Sequence, residues 1–293
     1  MPGKPIRAAV LVPAAEYSEP FRWAFDDQAA ALEAAGISVE ARPWDAPGVA
    51  AGVDLIMPLV AWGYHSRMGD WMDLLDRLED EPVAVLNPVP LLRWNSDKSY
   101  LAELAQNGVA TVPTLITDAL DSAYLRVARE RLGSEDLVVK PTVSASAQGT
   151  HRLSPGDPLP TDATGRRMLV QPFLPAIATE GELSVMLFNG EYSHAVIKRP
   201  KPGDFRVQPE HGGSELGTNA PNAALALAER AVAAAPAEAA YARVDMVTDG
   251  AGGWQIMELE LIEPALFLAH APGSAERFST GTRAAAKKIL AQR

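Results

Sequence analysis

The chain has 293 residues, 47% of them hydrophobic, and a formal net charge of −11 at pH 7. This length and composition predict a globular protein with enough apolar material for one large or two to three smaller packed units. The acidic balance argues against a sequence-independent nucleic-acid binder, and the absence of cysteine excludes disulfides, thiolate metal sites and cysteine nucleophiles.

Membrane and export signals are missing from the sequence. No apolar run approaches the roughly 20 residues of a membrane span. The first letters, MPGKPIRAAVLVP, lack the apolar region and cleavage site of a signal peptide. The sequence therefore predicts a cytoplasmic protein with neither a membrane nor a nucleic acid as partner, and it leaves homo-oligomerisation open.

The first hundred residues alternate between strand and helix patterns. Short apolar runs predict the strands, and longer stretches with start and stop signals predict the helices. Such alternation implies a small sheet that is covered by helices. The strands are predicted over 7–13, 37–43, 53–60 and 82–87, and the helices over 19–36 and 68–80.

The middle of the chain continues the alternation and contains a loop of small residues. A helix is predicted over 95–108, with Ser96 as its N-cap and Gly108 as its stop. The predicted strand 136–141 leads directly into the loop TVSASAQGT, residues 142–150. Further strands are predicted over 111–117 and 168–174, and a further helix over 122–133.

The last third of the chain predicts two β-hairpins. Asn189-Gly190 separates two alternating apolar runs, which is the strongest short hairpin signal in a sequence. A second hairpin is predicted from YARVDMV and WQIMELELI, which the loop TDGAGG joins. An alanine-rich helix is predicted between the hairpins, over 220–237.

Two glutamates share one face of the last predicted strand. Side chains alternate along a strand, so Glu258 and Glu260 point the same way. If Gly250–Gly253 forms the loop, pairing sets Asp245 opposite Glu258 and Arg243 opposite Glu260. Acids on a solvated edge hairpin are the alternative interpretation, but the flanking residues are apolar enough to favour a buried sheet.

This predicted patch of three carboxylates and one arginine indicates a cation site. Carboxylates crowded onto one face repel each other unless a cation lies among them. Oxygen ligands without histidine or cysteine indicate Mg²⁺ or Mn²⁺ rather than zinc. Because Mg²⁺ is usually bound by a few carboxylates while phosphates complete its shell, the patch predicts a phosphate-bearing ligand.

Two lysines are placed for such a ligand. Lys140 ends its strand just before the loop of small residues, whose backbone N–H groups can approach a phosphate closely. Lys98 lies in the first turn of its predicted helix, where a bound phosphate would offset the unfavourable position of a cation. The alternative for Lys140 is a solvated charge at the end of a strand, and the alternative for Lys98 is an exposed helix lysine.

The first hairpin and the loop after it carry further charged residues. Glu180 and Glu182 are predicted to share a face, and the Asn-Gly turn sets Arg199 opposite Glu180, so that a cross-strand ion pair competes with a ligand role. The loop KPGDFRVQPEHGGS contains one arginine, Arg206, and is too long for a tight turn. A polar loop of this length indicates a functional lid or, alternatively, a disordered loop.

In order and spacing these motifs resemble the ATP-grasp ligases, in particular their glutathione synthetase and RimK branch. QPFLPAI is similar to the hinge strand that meets adenine, GDFRVQPEHGG to the loop that closes over the triphosphate, and RVDMV with MELELIEP to the metal-binding strands. The resemblance implies an α/β (α+β ATP-grasp) fold. Its domains would be a Rossmann-like domain over 1–95, a small ATP-covering domain over 96–170 and a C-terminal domain over 171–293.

The resemblance also implies ATP and Mg²⁺ (or Mn²⁺) as cofactors and assigns roles by position. Adenine and ribose would be bound by Gln171, Phe173, Leu174, Glu180 and Glu182, and the phosphates by Lys98, Lys140 and the loop containing Ser146 and Gly149. Arg206 would act on the γ-phosphate, Asp245, Glu258 and Glu260 would bind the metal, and Arg243 would balance their charge. The chain departs from most relatives at Glu260, where they carry asparagine, and in having one glycine in the small-residue loop.

The implied reaction activates a small-molecule carboxylate as an acyl phosphate, which an amine-type nucleophile then attacks to form a C–N bond. PAAEYSEP and the paired glutamates resemble the O-ureidoserine cyclo-ligases of cycloserine biosynthesis, in which the nucleophile lies within the substrate. The alternatives are an intermolecular amino-acid or peptide ligase, a nucleotide-binding regulator without catalysis, and a sugar- or amino-acid-binding protein.

Overall fold

Three β-sheets organise the computed structural model, which describes residues 5–292. The first sheet contains β1 (Ile6–Val12), β2 (Ile37–Pro43), β3 (Leu55–Met57) and β4 (Ala84–Val85). The second contains β5 (Leu115–Thr117), β6 (Leu137–Pro141), β7 (His151–Leu153) and β8 (Met168–Pro172). The third contains β9 (Glu182–Phe188), β10 (Glu191–Arg199), β11 (Ser214–Thr218), β12 (Tyr241–Thr248) and β13 (Trp254–Glu260).

Eight α-helices accompany the sheets in the described part of the chain, which confirms the predicted mixed α/β class. None of these helices is long and apolar enough to cross a membrane. The helices are α1 (Arg22–Ala34), α2 (Met68–Asp80), α3 (Val89–Asn95), α4 (Tyr100–Gln106), α5 (Ser122–Leu132), α6 (Ala176–Thr179), α7 (Asn222–Ala233) and α8 (Ser274–Leu290).

The first sheet is parallel, in the order β2-β1-β3-β4, and helices cover both of its faces. On β1, Ala8 and Val10 pack with α1 and α8, whereas Ala9 and Leu11 pack with α2. All four side chains are fully buried. This is the sheet between helices that the alternating pattern predicts, and its central strand is apolar throughout because neither face meets solvent.

The prediction that a helix starts at residue 95 is wrong. The chain forms two short helices there, α3 and α4, and Ser96 follows the end of α3 instead of capping α4. The Ser96 hydroxyl donates to the carbonyl of Leu92 at 2.8 Å and accepts from Trp71 Nε1 at 2.9 Å. These buried partners use the oxygen that an N-cap would need for the next helix.

Several predicted strands are shorter than expected. The strand predicted over 53–60 is limited to β3, which ends directly before Pro58, and the one over 82–87 is limited to β4. The strand β8 ends at Pro172 and runs across residue 170, where the sequence places a domain boundary. The division into three domains stays a prediction.

The first hairpin forms around Asn189-Gly190, but the predicted register is wrong by one residue near its open end. A bulge between Tyr192 and His194 shifts the pairing, so that Lys198 lies opposite Glu182. Glu180 lies outside the sheet, exposed at the end of α6. The predicted pairing of Arg199 with Glu180, and the common strand face of Glu180 and Glu182, are therefore both wrong. A sequence pattern does not show where a bulge inserts.

The second hairpin has the predicted register where it matters for the acids. Arg243 lies opposite Glu260, and Asp245 lies opposite Glu258. A bulge follows directly after Asp245, toward the turn. The bulge leaves the three acids and Arg243 together on the same stretch of sheet.

Histidine 194 is buried in the third sheet, against the segment that follows β13. Its exposed fraction is 3%; Nε2 lies 3.0 Å from the carbonyl of Leu266, and Nδ1 lies 2.9 Å from the hydroxyl of Ser193. A neutral ring, which donates from Nε2 and accepts at Nδ1, satisfies both contacts. Burial lowers the pKa of His194 to about 4, although the hydrogen bond to Leu266 acts in the opposite direction.

We expect this histidine to make the protein less stable in mild acid. Because its folded-state pKa lies below the unfolded value of about 6.5, the unfolded chain binds the proton first as the pH falls. Stability is then lost between about pH 6.5 and pH 4, by about 2–3 kcal/mol. Urea unfolding at pH 7 and pH 4.5 measures the loss, which should be smaller in His194→Asn. Equal losses in the two proteins would contradict this account.

Candidate active site

The three predicted metal ligands come together on β12 and β13. One carboxylate oxygen from each of Asp245, Glu258 and Glu260 lies within 4.8 Å of the other two. No other group of three or more acidic or histidine side chains is this compact in residues 5–292. Asp245 is buried, whereas Glu258 and Glu260 are half-buried and remain open to a ligand. We refer to these three residues as the acid patch.

Two buried cations neutralise part of the acid patch. Arg243 donates to Asp245 from Nε at 3.1 Å and from Nη2 at 2.9 Å, and it also pairs with Glu260. Lys198 pairs with Glu182 and lies 3.4 Å from Asp245. The sequence anticipates Arg243 but not Lys198. The alternation of β10 and the corrected register would have placed Lys198 opposite Glu182.

Of the two predicted phosphate lysines, Lys98 contacts the acid patch, and Lys140 is buried on the strand that leads to the small-residue loop. Lys98 Nζ lies 2.8 Å from Glu258 Oε1, and its backbone N–H donates to Thr142 at the start of the small-residue loop, at 2.7 Å. Lys140 is buried at 9% exposure. Burial lowers the pKa of Lys140, and the nearby charge of Lys98 adds to this effect, although Glu258 opposes it.

Two residues that sequence reasoning missed fasten the Lys98 segment to β13. Asn95 donates to the carbonyl of Leu259 at 2.7 Å and accepts from the N–H of Leu261 at 2.9 Å. The hydroxyl of Tyr100 accepts from the N–H of Leu259 at 2.9 Å. These bonds hold Lys98 beside Glu258. No local pattern marks them, because the partners lie more than 150 residues apart.

The pKa values in the acid patch reflect burial first and the neighbouring charges second. Burial raises the pKa of Glu260 to about 7, with repulsion from Asp245 and Glu258 adding to the shift and Arg243 opposing it. Burial would also raise the pKa of Asp245, but Arg243, Lys198 and the hydroxyl of Ser184 together outweigh burial and hold that pKa well below its usual range. Glu260 is therefore the acid whose ionised form gains most from a further cation.

The acid patch suits the metal that the motifs imply. Its donors are all carboxylate oxygens, which are the ligands that Mg²⁺ and Mn²⁺ prefer. Arg243 and Lys198 both lie beside Asp245 and also pair with Glu260 and Glu182, respectively, whereas Glu258 has Lys98 as its close partner. When a metal takes its place beside Glu258, Lys98 would turn to a phosphate. The residues therefore fit a divalent cation accompanied by phosphate.

The small-residue loop contacts the N-terminal part of the chain. Ser146 and Gly149 have positive φ values of 49° and 66°. A Cβ atom at Gly149 would approach the ring of Pro141 to 3.0 Å, so both space and backbone favour glycine there. The contact is made by Gln148, whose Oε1 lies 3.3 Å from His65 Nε2. The phosphate role of the loop stays a prediction.

The predicted adenine-binding segment lies where the second sheet meets the third. Gln171 is buried and donates to Thr114 Oγ1 at 2.8 Å. The ring of Phe173 lies 3.7 Å below the guanidinium of Arg152, and Leu174 packs in an apolar cluster at the start of α6. Adenine binding by this segment, a ribose contact for Glu182 and a cofactor contact for the exposed Glu180 stay predictions.

The predicted lid arginine is not beside the acid patch. Arg206 donates to Asp204 from Nε at 3.1 Å and from Nη2 at 2.9 Å. With Phe205 and Arg152 it lines a cavity of about 370 Å³ between its loop and β7. Within residues 5–292 it makes no ion pair with an acid of the patch. Its role on the γ-phosphate stays a prediction and requires the loop to move.

Sequence comparisons find this chain similar to a cycloserine biosynthesis protein and to glutathione synthetases. The family model for the N-terminal domain of D-cycloserine synthetase DcsG matches residues 10–87. The cycloserine biosynthesis protein DcsG of Streptomyces lavendulae is 28% identical over 268 residues, which span 85% of this chain and 89% of that protein. A glutathione synthetase of Prochlorococcus marinus (strain MIT 9313) is 33% identical over 195 residues, or 62% of this chain and 60% of that enzyme.

Solved structures extend the likeness over nearly the whole chain. The crystal structure of D-cycloserine synthetase DcsG superimposes with a TM-score of 0.82 and 26% identity, covering 97% of this chain and 99% of that one. The D-alanine–D-alanine ligase of Bacillus anthracis superimposes with a TM-score of 0.70 over 98% of this chain and 99% of that one. At 15% identity, the second likeness concerns the fold alone.

Proposed function

We propose that this chain, an ATP-dependent, ADP-forming carbon–nitrogen ligase of the ATP-grasp superfamily, closes a ring within an O-ureidoserine-type amino acid. The observation that carries the proposal is the likeness to D-cycloserine synthetase along nearly the full length of both chains, including the N-terminal region. The glutathione synthetase likeness covers a smaller part of the chain.

The first chemical step transfers the γ-phosphoryl group of ATP. A carboxylate oxygen of the substrate attacks the γ-phosphorus, the bond from that phosphorus to the ADP oxygen breaks, and an acyl phosphate and ADP result. Lys98 and Lys140 would contact the phosphates and orient them, which is the main task of a protein in phosphoryl transfer. Mg²⁺, bound by Asp245, Glu258 and Glu260, would supply neutralisation of the phosphate charge.

The second step forms the ring. A nitrogen of the same molecule attacks the acyl carbon, the C–N bond forms, the bond from that carbon to the phosphate oxygen breaks, and the nitrogen gives up one proton. Excluding water from the acyl phosphate is essential, because hydrolysis would waste the ATP. The loop that contains Arg206 would cover the site in this step, which requires it to move toward the acid patch.

An ADP-release assay tests the proposed function. With ATP, Mg²⁺ and O-ureidoserine as the only other substrate, we expect ADP and a cyclic product without any added amine. Serine is the matched control, because it keeps the ammonium and carboxylate groups but lacks the attacking nitrogen, and it should give no cyclic product.

Two results would contradict the proposal in different ways. ADP formation that requires an added amine would identify an intermolecular ligase of the glutathione synthetase or RimK type. ATP binding without ADP formation across a broad panel of carboxylates would identify a nucleotide-binding regulator.

A further inference from the structure

Glu263 continues the acid strand toward the N-terminal part of the chain. It lies three residues beyond Glu260 and is half-buried. Its backbone carbonyl accepts a hydrogen bond from Trp62 Nε1 at 3.1 Å. Since Trp62 follows the first sheet and Glu263 follows the third, the glutamate lies where these two parts of the molecule meet.

The Glu263 carboxylate has no partner of its own. Among residues 5–292 it makes no side-chain hydrogen bond or ion pair with another residue, whereas Glu258 pairs with Lys98 and Glu260 pairs with Arg243. Burial raises the pKa of Glu263 to about 8, and repulsion from Glu260 adds to the shift, whereas the charges of Lys98 and Arg243 and a hydrogen bond from the residue's own backbone N–H oppose it without cancelling it. An unpaired carboxylate in such a place is unfavourable for the protein alone, which indicates a ligand that supplies the missing charge.

Aromatic side chains lie beside the Glu263 segment. Trp62 donates to the backbone carbonyl of Glu263, and the ring of Trp23 lies 5.7 Å from that of Trp62. The ring of Tyr17 lies against Gly63, where a Cβ atom would approach it to 3.0 Å. Aromatic faces beside a carboxylate attract an organic cation such as an ammonium group.

We propose that Glu263 binds the ammonium group of the substrate and so selects amino acids over simple carboxylic acids. The inference rests on the proposed function and adds a specificity-determining residue to it. In an α-amino acid the ammonium and the carboxylate are attached to one carbon. An ammonium group at Glu263 therefore directs the carboxylate toward Lys98 and the acid patch, where the phosphates would lie.

A pair of substrates and a pair of variants test this role. The substrates are O-ureidoserine and its des-amino counterpart, 3-(ureidooxy)propanoic acid. In Glu263→Gln we expect kcat/KM for O-ureidoserine to fall by about 10- to 100-fold, because a hydrogen bond to a charged group is lost. The value for the des-amino compound should change by less than about threefold. The matched control is Glu33→Gln, an exposed acid on α1, which should leave the ratio of the two values unchanged.

Binding is measured in parallel, so that the role of Glu263 is tested even where turnover fails. With a non-hydrolysable ATP analogue and Mg²⁺, O-ureidoserine should raise the melting temperature of the wild-type protein more than the des-amino compound does. In Glu263→Gln the two shifts should be equal. Absence of ADP formation would refute the proposed reaction without affecting this comparison.

Three outcomes would overturn the role of Glu263. The first is an equal fall of kcat/KM for both substrates with a lower melting temperature, which would show a structural role. The second is an unchanged preference in Glu263→Gln, as expected if a neutral carboxyl only donates a hydrogen bond that glutamine can replace. The third is the absence, in the wild-type protein, of any difference between the two thermal shifts.

Discussion

Glu258→Gln is expected to lower the rate of ADP formation at least about 100-fold while the protein still folds. The substitution keeps the shape of the side chain but removes one of the three negative charges of the acid patch. It also removes the charge that faces Lys98 at 2.8 Å, so that the lysine loses the partner that orients it toward the phosphates. Both effects weaken charge neutralisation in the transition state, where it contributes most.

Three measurements separate this expectation from a simple loss of structure. ADP release reports turnover, the Mg²⁺ dependence of binding a non-hydrolysable ATP analogue reports the metal, and thermal melting reports the fold. The melting temperature should fall only modestly, because the relief of repulsion among the acids offsets part of the lost ion pair with Lys98. Glu229→Gln, an exposed acid on α7, is the matched control and should behave as the wild-type protein does. An active Glu258→Gln enzyme would refute the metal assignment.

The acid patch could be predicted from the sequence because its geometry is local. Side-chain alternation places Glu258 and Glu260 on one face, and a short loop sets Asp245 opposite Glu258 with only a few residues between the strands. The same logic fails in the first hairpin. There the extra residue at the bulge between Tyr192 and His194 shifts the pairing by one residue, so that Lys198 lies opposite the buried Glu182.

The remaining parts of the site depend on contacts between distant segments. Ser96 carries a strong local signal for a helix start, yet Trp71 and Leu92 bind its hydroxyl and the chain begins α4 later. Lys98 reaches the acid patch because Asn95 and Tyr100 hydrogen-bond to the backbone of β13. Propensities and periodicity describe one segment at a time, so they contain no information on these pairings.

Lys198→Met is expected to destabilise the protein by about 3–5 kcal/mol, although the sequence assigns the residue no role. Lys198 is 5% exposed, and its ammonium group pairs with Glu182 and lies 3.4 Å from Asp245. Methionine fills a similar volume, so the loss comes from charge and not from packing. It leaves Glu182 buried without its cation and leaves Asp245 with Arg243 alone.

Thermal melting and a rescue variant test this expectation. The melting temperature of Lys198→Met should fall by about 10 °C. Adding Glu182→Gln should recover part of the loss, because it removes the carboxylate that has lost its partner. Lys288→Met is the control, since its pair with Glu238 is exposed and should contribute less than about 1 kcal/mol.

The result for Lys198 also decides how the acid patch is held before a metal binds. If the melting temperatures of Lys198→Met and Lys288→Met are equal, the buried lysine contributes nothing to the stability of the folded protein. Protonation or solvent must then stabilise the acids. If it melts lower, as we expect, Lys198 and Arg243 are the cations that keep Asp245 ionised in the folded protein. Asp245 then stays ionised through the protein's own charges, whereas Glu258 and Glu260 remain the half-buried acids that a metal and its phosphates can engage.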